Sequence, residues 1–146
     1  MTGLRRLAQL VPLSLALIAS GLTSAALADP APEGLVLELN KTEDTGSACR
    51  LSFVLRNATG ADLEGAAYEL VLFSQDGIIN QMSVFDFGAL PAEKTVVRQF
   101  ELQTVACAEA GRLLINGPSG CTETAPAGHC RAPLSLSSRT SLALTQ

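Results

Sequence analysis

The sequence predicts an all-β domain, an antiparallel β-sandwich of about seven strands behind a cleaved N-terminal signal peptide. Three observations carry this expectation. Apolar and polar residues alternate with a period of two in several runs, as a strand with one buried and one wet face requires. Turn-forming sequences such as Asn57-Ala-Thr-Gly60 and Gln75-Asp-Gly77 separate those runs. Four cysteines sit in a small chain that opens with an export signal, the setting in which disulfides brace a modest core.

The leader comes first. Arg5 and Arg6 form a basic n-region, and residues 7–22 are mostly apolar and carry no charge. Ala26-Leu-Ala28 then supplies the small-x-small pattern of a signal-peptidase site just before Asp29. Gln9, Pro12, Ser14, Ser20 and Gly21 interrupt the apolar run, which disfavours a retained membrane anchor. Residues 1–28 are therefore read as a signal peptide and 29–146 as one domain, exported to the periplasm with no membrane insertion after cleavage. The Arg5-Arg6 pair fits an ordinary secretory leader. It also fits part of a twin-arginine signal, although Leu4, Leu7 and Ala8 depart from that pattern, so both export routes stay open.

The strands follow in order. The first is expected over residues 35–40, with Leu35, Leu37 and Leu39 on one parity. The second, residues 49–57, is the clearest: Cys49, Leu51, Phe53 and Leu55 share one face, Arg50, Ser52 and Arg56 the other, and Val54 alone is out of place. The third, 67–74, is apolar on both faces, as a fully covered strand would be. Gln75-Asp-Gly77 turns the chain into a fourth over 78–87. Residues 90–94 turn it again into a fifth over 95–102, and short strands follow over 112–116 and 133–139. The first and last of these are expected at the sheet edges, because Pro30, Pro32 and Pro133 flank them and proline blunts an edge against further pairing.

Cys49, Cys107, Cys121 and Cys130 allow three pairings. Counting strand directions selects one. If successive strands alternate, Cys49 at the start of the second strand and Cys107 just past the fifth lie at the same end. Cys121 and Cys130 lie together between the last two strands. The expected bridges are Cys49–Cys107 and Cys121–Cys130, with no free thiol.

Several segments together resemble a group of small exported proteins of alphaproteobacteria labelled only as Tat-pathway signal-sequence domain proteins. They are Leu37-Glu-Leu-Asn-Lys41, Ala48-Cys-Arg50, Asn57-x-Thr-Gly60, Phe73-x-x-Asp-Gly77, Leu90-Pro91 with Lys94-Thr95, Gly111-Arg-Leu-Leu-Ile-Asn116 and Ser137-Ser-Arg139. The resemblance covers nearly the whole mature chain and implies a periplasmic location. The region from Asn57 to Gly77 also resembles bacterial immunoglobulin-like modules, which implies an immunoglobulin-like form of the sandwich.

Charge and composition narrow the function classes. Removing residues 1–28 takes away two arginines and no acid, so the net charge moves from −4 to −6. An acidic chain without a basic run disfavours nucleic acid and anionic membranes as partners. Without tryptophan, stacking surfaces for bases or sugars are scarce. No catalytic residues and no cofactor are expected, because Gly-x-Ser-x-Gly, Cys-x-x-Cys and a phosphate-binding glycine loop are all missing from the sequence. His129, the single histidine, adjoins Cys130. With Cys121 it could form a metal or redox site, whereas beside a closed Cys121–Cys130 bridge it is a plain loop histidine. Met82 reads as core or strand filler rather than a copper ligand, and Glu43-Asp44 as a solvated turn. The expectation is a non-catalytic module that binds a protein partner in the cell envelope through a sheet face or an edge strand.

Overall fold

The structure, a computed structural model, describes residues 33–123 and 134–146. The leader, the expected cleavage point, His129, Cys130 and Pro133 lie outside the described residues. Eight strands are present among the described residues: β1 (Gly34–Asp44), β2 (Ala48–Ala58), β3 (Leu63–Ser74), β4 (Ile79–Asp86), β5 (Thr95–Gln103), β6 (Ala110–Glu123), β7 (Ser135–Ser138) and β8 (Ala143–Thr145). A 3-10 turn, Cys107–Glu109, leads into β6. The strands form two four-stranded sheets, ordered β5-β2-β1-β7 and β4-β3-β6-β8.

The core lies between the sheets, and the period-two pattern decides what enters it. Leu35, Leu37 and Leu39 of β1 and Leu51, Phe53 and Leu55 of β2 are buried from one side. Tyr68, Leu70 and Leu72 of β3, Phe85 of β4, and Leu113 and Ile115 of β6 are buried from the other, all in one cluster. Phe53 sits at its centre, with the rings of Phe85, Phe87 and Phe100 at 6.1, 5.6 and 6.1 Å in edge-on arrangements. Such edge-to-face packing matches the ring quadrupoles and adds to the area each ring buries. The out-of-place Val54 finds its explanation across the strand, since it lies opposite Val97 of β5 on the outer face.

Four expectations change. There are eight strands rather than seven, because the expected last strand is β7 and a further strand, β8, follows beyond it. Ser138 Oγ donates to Leu142 O at 2.7 Å, and Thr140 N donates to Ser138 Oγ at 3.2 Å, so side chains there replace a sheet ladder. The sandwich is mixed rather than purely antiparallel: β7 runs parallel to β1, and β8 parallel to β6. Strand β6 extends from Ala110 to Glu123 instead of 112–116, which puts Cys121 inside a strand, opposite Ala66. Finally β1 is not an edge, because β7 covers its residues Val36–Leu39.

Candidate functional site

The first predicted bridge is present. Cys49 and Cys107 form a disulfide with a Cα–Cα distance of 4.9 Å, joining the start of β2 to the segment after β5. Asp44 holds the same corner, since its Oδ1 accepts the Cys107 N–H at 2.8 Å. Asp44 and Glu43 therefore belong to the end of β1, opposite Cys49 and Arg50, and not to a turn. Glu43 pairs with Lys41 at 3.1 Å on the surface. Cys121 is disulfide-bonded and so presents no thiolate to a metal. Its expected pairing with Cys130, and the His129 beside it, lie outside the described residues. Among the described residues, no group of three or more His, Cys, Asp or Glu side chains is placed to hold a metal ion. Likewise, no helix among them is long and apolar enough to cross a membrane.

The sheet edges differ sharply in how they are protected. β7 and β8 are only four and three residues long, and short edges are poor templates. β5 carries Arg98 and Glu101. Arg98 folds over to donate to Phe87 O at 2.8 Å, and Glu101 pairs with Arg50 at 3.0 Å. β4 has none of these devices before Asp86 at its end. From Ile78 to Phe85 the chain carries no charge, no proline and no glycine. Ile78, Ile79, Met82 and Val84 are four of the five large apolar side chains that stand exposed among the described residues, each more than half accessible. Met82 is thus a strand residue, as expected, but not a core one.

The backbone of β4 is equally available. Phe87 N donates to Ala66 O at 2.8 Å, and the pairing runs back from there as Asp86 with Ala67, Phe85 with Tyr68 and Ser83 with Leu70. Main-chain groups alternate in direction along an antiparallel strand. Ser83 and Phe85 therefore turn their N–H and C=O toward β3, while Met82, Val84 and Asp86 turn theirs to the open side. The inward side chains of Phe85 and Phe87 are 4 % and 0 % exposed and anchor this rim to the core.

On the outer face of the sheet, Met82, Val71 and Leu114 stand side by side across β4, β3 and β6. Polar contacts bound this row. Arg112 lies over the Phe73 ring at 4.1 Å on one side, and Asn116 Nδ2 donates to Glu69 Oε1 on the other. The clear electrostatic shift among the described residues lies elsewhere: hydrogen bonds from Asn40 and then Arg139 hold the Glu38 carboxyl below its ordinary range.

Sequence reasoning missed this edge because it looked for proline at the ends of the chain. The available signal was the unbroken uncharged run from Ile78 to Phe85, directly after a hairpin turn. No protein-family model, curated protein or solved structure matches the chain.

Proposed function

We propose that the mature chain is an exported, non-catalytic periplasmic module that binds a protein in the cell envelope by strand addition at β4. The observation that carries this reading is the edge itself. It is eight residues long, free of charge until Asp86, and it aims Met82 and Val84 backbone groups at solvent beside exposed apolar side chains. An added strand gains affinity from main-chain hydrogen bonds and specificity from alternate side chains. The leader, the disulfide and the acidic net charge all suit an extracytoplasmic protein that avoids nucleic acid and anionic lipid. The resemblance to exported alphaproteobacterial proteins supports the same location. A metal or redox role at Cys121, His129 and Cys130 draws less support, because Cys121 is already bridged.

In vivo photocrosslinking from position 82, with hydrogen exchange on the recovered complex, tests the proposal. Crosslinks and amide protection should concentrate on β4 and vanish in Val84→Lys, which places a charge on the edge. Protection confined to the short β7 or β8 edges would reject it.

A further inference from the structure

Building on the strand-addition reading, we propose that the strand added to β4 is β4 of a second copy of this chain, in an antiparallel pair about a two-fold axis. An edge pairing with itself must tolerate every one of its side chains beside a copy of the same set. Most strands of an acidic protein fail that test. β4 passes it, because Asp86 is its single charge.

The two-fold also fixes the register. Opposed residues in an antiparallel pair share a face, so the residue numbers of each pair must sum to an even number. Centring on Ser83 puts Met82 opposite Val84 twice, on the outer face, and these are residues whose main-chain groups point to the open side. Asp86, the single charge of the strand, then falls beyond these pairs, toward the partner's bulge at Asn80, a residue without a pairing position in β3. Centring on Val84 would instead set Met82 against Asp86. Centring on Met82 would carry Val84 to that bulge. Of the three, the Ser83 centre alone joins Met82 to Val84 and keeps the charge off both. It would merge the two four-stranded sheets into one of eight, with the Met82–Val71–Leu114 rows of both copies on one continuous outer face.

The test uses the mature chain with its disulfides intact, in sedimentation velocity across a concentration series. A reversible dimer is expected. Val84→Lys should weaken it by at least about tenfold, since lysine on an edge opposes pairing. Val97→Lys, an equally exposed site on β5, should leave it unchanged, and thermal melts would verify that both variants fold. Ser83→Cys supplies the register. At the two-fold centre the pair is a non-hydrogen-bonded one, with Cα atoms about 4.5 Å apart, within disulfide reach. Non-reducing peptide mapping should find the introduced thiol bridged to its own counterpart in the other copy. A dimer indifferent to Val84→Lys overturns the inference. So does a chain that stays monomeric at every concentration. In the monomer case the strand-addition reading survives if β4 amides are protected in the envelope complex, and falls with the inference if they are not.

Discussion

Asn57 is the one polar side chain buried among the described residues, 1 % exposed, and every hydrogen bond it can make is used. Its Nδ2 donates to Ala61 O at 2.8 Å and to Leu90 O at 2.7 Å. Its Oδ1 accepts the Thr59 N–H at 3.0 Å and the Thr59 hydroxyl at 2.7 Å. One side chain thus ties the turn after β2 to the loop before β5. Asn57→Ala removes four hydrogen bonds and takes the acceptor from the Thr59 N–H, while Leu90 O and Ala61 O keep the Leu63 N–H and the Thr59 hydroxyl, so urea unfolding should lose about 1–3 kcal/mol. Phe53, wholly buried among Phe85, Phe87 and Phe100, is the packing counterpart. Phe53→Ala removes a ring that nothing nearby can replace and should cost about 3–5 kcal/mol, close to the full stability of a domain this size. Both positions were visible in the sequence in part. The parity of Phe53 placed it inside, whereas Asn57 read only as the start of a turn, because its distant acceptor Leu90 is a product of the fold.

At the level of elements, local period was legible and long-range pairing was not. β1 and β2 alternate cleanly because each has one wet face, and their bounds differ from expectation by a few residues. β6 hid its length because Gly117-Pro-Ser-Gly120 carries the residues of a loop. Those residues instead sit in a ladder whose register slips four times, two of the slips flanking Tyr68 and Glu69 of β3, and bulges of that kind accept glycine and proline. The position of β1 inside its sheet depends on β7, which arrives from the far end of the chain and gives no sign in the local pattern of β1. Their junction has an ionic clasp. Arg139 Nε meets Glu38 Oε1 at 2.9 Å, and Arg139 N donates to Leu39 O at 2.9 Å. Because Asn40 and Arg139 lower the Glu38 pKa in the folded state, the clasp stabilises fully above the ordinary carboxylate pKa. That stabilisation fades as pH falls through the lowered value. Thermal melts of the protein and of Glu38→Gln between about pH 3 and pH 7 should therefore differ at the neutral end and converge at the acid end. A constant gap would remove the charge from the account.

Across the whole molecule, the Cys49–Cys107 bridge closes a loop spanning 58 residues, from the start of β2 to beyond β5. On the chain-entropy account a loop of that length stabilises by up to about 4 kcal/mol. A variant with both cysteines replaced by alanine should unfold at markedly lower urea, with its far-ultraviolet spectrum still that of a β-protein. The bridge was legible because it needs only strand directions, and β1, β2 and β5 kept theirs. The immediate neighbourhood of Cys121 was misjudged for the opposite reason, since that cysteine lies within β6 rather than after a short strand.

The two parallel pairings set an order of events during biosynthesis. β7 finishes the first sheet and β8 the second, and both lie within residues 135–145. A ribosome delivers those residues after the other strands of the described residues have emerged. Until then β1 and β6 each keep an unpaired flank, in addition to the β4 and β5 edges that the finished sheets retain. Such contacts of high sequence separation also form slowly. Until β7 and β8 arrive, the open β1 and β6 flanks can template pairing with other chains.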